Sequence, residues 1–263
     1  MPNHAIYFKE YRKQLGFNNQ SSAKDYLAAK DINPAIDYKY INSLNKRISD
    51  IIRKINATIH HSSRRSDSDI LQFCGEHISN TYAVIKNSNI IPRLNNQGRR
   101  AEEVLFSWLR GFVVCEYFTQ LIAKIFDIEL NSIFHIGDDD IRNIETFRRT
   151  PTADLSIAIN SRKTRIEVQS GFQGINDIKE HKVREAIRIY EEMNEPTICI
   201  HFDLYNGQVA FIKLDEIGDD SVNWITRQYV GDGLVWNIDQ NFFFWDLENI
   251  PSPYQNIIES YYA

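Results

Sequence analysis

The sequence has 263 residues, 43% of them hydrophobic, with a formal net charge of -5; that is enough apolar material for one large domain, or for a core with a helical appendage. No apolar run approaches membrane-spanning length, the first residues lack a signal-peptide pattern, and Cys74, Cys115 and Cys199 are too few and too scattered for a disulfide framework; a membrane protein and a disulfide-stapled secreted domain are thereby excluded, and a reducing, cytoplasmic setting is expected. Charge is uneven: residues 1–90 carry 13 basic and 8 acidic side chains, residues 91–190 carry 15 and 14, and residues 191–263 carry 2 and 13, so a phosphate-facing surface belongs to the first two thirds.

The first 90 residues read as mostly helical. Pro34 suits a helix start or the turn before one, and Ile41, Leu44, Ile48, Ile51, Ile52, Ile55 and Ile59 form one apolar stripe, with Lys46, Arg47, Arg53 and Lys54 on other faces. Ser62 to Ser68 is a polar break, Ile70 to Ile85 a second helix, and Asn87 to Gln97 a loop. Cys74 and His77 have too few partners nearby for a structural zinc site. A third, very apolar helix is expected over Ala101 to Phe126, opened by Glu102 and Glu103 and buried against a sheet. Gly137 to Asp140 is an acidic loop.

Residues 151–171 hold the densest pattern. Leu155, Ile157 and Ile159 alternate with Ser156, Ala158 and Asn160, and a second alternating run follows from Thr164 to Ser170 across a polar turn at Ser161 to Lys163; this is a hairpin. Asp154 stands where the first strand begins, and Glu167 and Gln169 share one face of the second. Ile166 and Val168 face the core. Carboxylates gathered at a sheet end call for a positive charge between them, and a hard divalent cation with oxygen ligands is the common remedy. After the glycine-bracketed turn Gly171-Phe172-Gln173-Gly174, Asn176 to Met193 reads as a helix. Thr197 to Leu204 and Gln208 to Leu214 read as strands joined through Asn206-Gly207, and Phe242 to Trp245 as a strand within the core.

An Asp, a gap of about a dozen residues, and then an acid two places before a polar residue on an apolar strand resembles the catalytic hairpin of the PD-(D/E)XK nuclease superfamily. Pro151-Thr152-Ala153-Asp154 loosens its Pro-Asp, and Glu167-Val168-Gln169 is similar to the minority restriction-enzyme variant with Gln in place of Lys. The resemblance covers about 45 residues, hairpin plus following helix. It implies an α/β (α+β) fold with a restriction-endonuclease-like core: a central mixed β-sheet flanked by helices, at residues 91–263, behind a helical amino-terminal region at 1–90 for DNA contact or dimerisation. It implies Mg²⁺, with Mn²⁺ able to substitute, held by Asp154, Glu167 and the main-chain carbonyl of Val168, with Gln169 as the third catalytic position. Gln is neutral, so either the metal carries more of the activation or another cation does, for which Lys182 on the next helix is the choice; a solvated helix face is its other reading. A glutamate from the preceding helix often completes such sites, which points to Glu103 or Glu102, although acids at a helix start also complement its dipole.

The implied activity is that of a type II restriction endonuclease, hydrolysing phosphodiesters in double-stranded DNA as a homodimer, in a bacterial or archaeal cytoplasm beside a cognate DNA methyltransferase. Two alternatives stay open: a repair or recombination nuclease of the same superfamily, and a DNA-binding protein on the same fold without catalysis. Arg99 and Arg100, after the polar loop Asn95 to Gly98, and Arg148 and Arg149, just before the hairpin, are the residues expected to contact DNA.

Overall fold

In a computed structural model of the chain, the described residues are 4–29, 32–94, 99–137, 152–218, 221–226 and 233–261. Arg148, Arg149, Pro151 and the Asp138 to Asp140 run lie outside them. The helices α1 (His4–Gln14), α2 (Gln20–Leu27), α3 (Tyr38–Thr58), α4 (Asp67–Cys74), α5 (Thr81–Asn87) and α6 (Ala101–Phe126) come first. They are followed by β1 (Phe134–His135), β2 (Leu155–Ile159), β3 (Arg162–Gly171), β4 (Asp177–Lys179) and α7 (Glu180–Met193). Last come β5 (Thr197–Asp203), β6 (Gln208–Lys213), β7 (Trp224–Thr226), β8 (Leu234–Asn237), β9 (Phe243–Asp246) and α8 (Tyr254–Tyr261). No helix among the described residues is long and apolar enough to cross a membrane.

The apolar stripe of α3 buries Ile41, Leu44, Ile48, Ile52 and Ile55, and Asp37 caps its start by accepting from the Tyr40 main-chain N–H at 2.9 Å. The expected helix over 70–85 is two α-helices joined by a π turn, Gly75–Asn80, with Ser66 closing a capping box at its start. Helix α6 has the expected bounds.

Among the described residues, the main sheet runs β1-β2-β3-β5-β6-β9, with β3 and β5 parallel and every other pair antiparallel; a smaller sheet runs β4-β8-β7. This is the central mixed sheet flanked by helices that the sequence implied. The hairpin turn falls one residue earlier than its pattern indicated. Asn160 and Ser161 both adopt left-handed backbone, at φ 48° and 65°, a two-residue turn whose twist suits the strands, so Lys163 already pairs with Ala158. Helix α7 also starts later than expected. Asp177, Ile178 and Lys179 alternate and pair with β8 as strand β4, because the buried Ile178 fits a period of two as well as one of 3.6.

The sheet has two covered faces. Ile166, Ile198, Ile200, Phe202 and Phe211 pack with α3 and α6 in one hydrophobic cluster. On the opposite face Cys199, Ala210 and Ile212 pack with Val183 and Ala186 of α7. Glu167 and Gln169 are in register with Cys199 and His201 of β5, so they leave the sheet on the α7 side. Helices α1 and α2 bury no residue.

Candidate active site

Asp154 is placed by its own backbone. Its carbonyl accepts from the main-chain N–H groups of Ile136 at 3.0 Å and Gly137 at 3.3 Å. A side chain on Gly137 would sit 3.3 Å from the Asp154 Cα, so glycine lets the two segments close. Leu155 pairs with Ile166, which puts Asp154 opposite Glu167 and on the same face. Asp154 Oδ2 accepts from the Val168 N–H at 2.7 Å. Since the N–H and C=O of one strand residue point to the same side, the Val168 carbonyl is directed toward Asp154 as well. Asp154, Glu167, Val168, Gln169 and Lys182 line a single cavity of about 440 Å³ at this end of the sheet.

Lys182 stands one turn into α7, and its ammonium donates to Glu167 Oε1. Helical spacing explains its reach: Val183 and Ala186 anchor α7 on the sheet, which turns the neighbouring position 182 toward the strand below. The pair is well shielded, Lys182 at 27% and Glu167 at 6% side-chain exposure. Lys182 is half-buried and lines the cavity. Removing it leaves a buried carboxylate without its counter-charge. Lys182→Met is therefore expected to cost on the order of 2 kcal/mol in a chelator, and millimolar Mn²⁺ should restore more stability to the variant than to the parent. Thermal melts with and without the ion check this; equal shifts in both proteins would separate Glu167 from any cation site.

Other expected residues fall elsewhere. Glu102 and Glu103 do not line the cavity: Glu102 is buried and accepts from the Asp37 N–H at 2.8 Å and from Arg100 at 3.2 Å, tying α6 to the start of α3. Arg100 also lies over the Tyr40 ring, and Arg99 donates to Ser107 Oγ at 2.8 Å, so both basic side chains engage the chain itself. His181 is exposed on α7.

The glutamate of α6 that does reach the cavity is Glu116. Its Oε1 lies 3.3 Å from His135 Nε2 and its Oε2 3.8 Å from His77 Nδ1, the latter carried by the π turn. Burial pushes the Glu116 carboxyl above the usual carboxylate range, with His135 pulling the other way. A signal for it existed: an acid inside the apolar run Val113 to Phe118 with no basic residue three or four positions away. Arg110 lines the cavity from the same helix. Cys199, in register with Glu167, is inert, since burial pushes its thiol up to about 12.

The donor set suits a hard cation. Two carboxylates and a main-chain carbonyl share the cavity, and Mg²⁺ is commonly held by one or two carboxylates with water completing its shell. Among the described residues no group of three or more His, Cys, Asp and Glu side chains is arranged to hold a metal, so an all-protein cage of the zinc type does not fit. No family model matches the chain, and no curated protein does. A 1.6 Å structure of Hjc, a Holliday junction resolvase from Archaeoglobus fulgidus, aligns over 56% of this chain and 96% of that one, at 8% identity and a TM-score of 0.34. That likeness is too weak to carry chemistry, which is read from the side chains themselves.

Proposed function

We propose that the chain is a divalent-metal-dependent DNA endonuclease, in the manner of a type II restriction enzyme. One observation carries this reading: Asp154 and Glu167 come together on one sheet face, opposite each other across the hairpin, with the Val168 carbonyl beside them and a lysine on Glu167. Asp154, Glu167 and the Val168 carbonyl would hold the Mg²⁺. When bound, such an ion supplies charge for the phosphoryl oxygen, acidifies water and neutralises the leaving oxygen. Lys182 sets a fixed positive charge at the mouth of the pair, where a scissile phosphate needs one. Gln169 can hydrogen-bond the attacking water but adds no charge, so the ammonium of Lys182 takes the place of the motif lysine. A two-fold symmetric dimer would match the two strands of a palindrome.

Incubating the purified protein and Mg²⁺ with plasmid DNA and with a four-way junction tests the reading. Discrete linear fragments are expected. A smear or junction-selective nicking would move it to a repair or recombination nuclease, and metal-independent binding without any cutting would mark a DNA-binding protein instead.

A further inference from the structure

Beside Gln169 runs a chain of hydrogen bonds in which the direction of every donor is fixed. It begins at Asp203, fully buried at the end of β5. Against the upward push of burial, hydrogen bonds from the Asn176 and Asn206 side chains and from the N–H groups of Asn206 and Tyr205 hold its carboxyl below the usual range. Asp203 is therefore an anion that can only accept. Asn176 Nδ2 donates to it at 2.9 Å, which settles the orientation of that amide: its oxygen faces the other way. Asn176 Oδ1 lies 2.9 Å from His201 Nε2. An amide oxygen has no proton to give, so Nε2 carries the hydrogen.

His201 Nδ1 is then a bare lone pair. Burial keeps the imidazole neutral, lowering its pKa to about 4. The residue is 3% exposed, it lines the cavity, and Nδ1 has no hydrogen-bond partner among the described residues. A buried acceptor without a donor is costly and calls for an explanation. Gln169 is the register neighbour of His201 on parallel β3, on the same face, about 4.8 Å away across the strands, and it lines the same cavity.

We propose, on the nuclease reading of this cavity, that His201 is a positioning residue for Gln169: a turn of the Gln169 side chain brings its Nε2 to the unpaired His201 Nδ1, which accepts from it and leaves Gln169 Oε1 toward the cavity as an acceptor for the attacking water. The order is Asp203 from Asn176, Asn176 from His201, His201 from Gln169, Gln169 from water. A lysine at position 169 would donate to that water; the glutamine, held by its amine end, accepts from it. Gly171 lies next to this chain of hydrogen bonds. A Cβ there would sit 3.2 Å from the Ile175 carbonyl oxygen, a tight approach, and at ordinary contact distance, 3.6 Å, from Asn176 Oδ1 and His201 Nε2, so glycine makes room for the main chain that carries Asn176.

Nitrogen NMR of the histidine-labelled full chain tests the contact without any cleavage. His201 is expected to be protonated at Nε2 and bare at Nδ1, and Gln169→Leu should move its Nδ1 resonance. In cleavage assays, His201→Gln keeps a donor at the Nε2 end but loses the Nδ1 acceptor. It should lower kcat by roughly 10- to 100-fold, with KM for DNA nearly unchanged. His201→Asn, whose side-chain oxygen can stand at the Nδ1 position, should lose less. The double variant Gln169→Ala/His201→Gln should be no slower than Gln169→Ala alone, because the two act as one unit. Protonation at Nδ1, an Nδ1 signal indifferent to Gln169→Leu, or losses that multiply in the double variant would each overturn the proposal. Failure to cut any DNA overturns the nuclease reading instead, and the nitrogen spectra still decide the His201–Gln169 contact. If Asp154→Ala abolishes cutting while His201→Gln cuts normally, the positioning role alone falls.

Discussion

Asp154→Asn and Glu167→Gln are each expected to lower the rate of Mg²⁺-dependent DNA cleavage by on the order of 10³-fold or more, since a cation held at a phosphoryl oxygen contributes several kcal/mol to the transition state. The amide variants isolate charge from structure. Asp154 Oδ2 accepts from the Val168 N–H at 2.7 Å, and an asparagine oxygen can still accept there. Asp154→Ala cannot, and leaves that donor unsatisfied at a cost of about 1–3 kcal/mol. Glutamine at position 167 can likewise accept from Lys182. Single-turnover cleavage in Mg²⁺, with DNA binding followed by fluorescence anisotropy, separates the two effects. Binding should survive in both amide variants. Cutting at the parental rate by either would mean that these acids do not hold the ion.

What the sequence disclosed follows from the range of the interactions involved. Helix α6 could be bounded to the residue because its apolar positions repeat over 26 residues without a competing period. The hairpin was legible through strict alternation, and its turn was misplaced only because Asn160 and Ser161 both take left-handed backbone, which asparagine tolerates far better than serine. Residues 177–179 went to the wrong element because their partners in β8 lie 56 to 60 positions later. The site divides in the same way. Asp154 and Glu167 are joined by a local turn and could be paired from spacing. The resemblance asks only for a glutamate from the preceding helix and points to Glu103 or Glu102, and only β1, bringing His135 to α6, shows that Glu116 is the one facing the cavity. The hydrogen bonds that join Asn176, in the connection between β3 and β4, to His201 and Asp203 of β5 span about 25 positions and have no local signature.

Phe118→Ala is expected to remove about 3–5 kcal/mol of stability, a large share of the roughly 5–15 kcal/mol typical of a folded domain. Phe118 and Phe202 are both fully buried and stack at 3.9 Å between ring centroids, inclined by 12°. Phe118 lies on α6 and Phe202 on β5, so the pair joins the long helix to the centre of the sheet. Truncation loses the ring's burial, the stacking and the filling of a volume that rigid neighbours cannot close. Phe118→Leu keeps most of that volume and should cost markedly less. Urea denaturation at unchanged m-value is the measurement, and a loss below about 1 kcal/mol for the alanine variant would mean that the stack does not hold these layers together. The consequence reaches the cavity. Glu116 is two residues before Phe118 on α6, and His201 one residue before Phe202 on β5, so the rings that bind helix to sheet also fix where the two cavity side chains stand. A Phe118→Leu protein that remains folded should therefore lose cleavage rate out of proportion to its lost stability, because near-attack geometry tolerates displacements well below 1 Å.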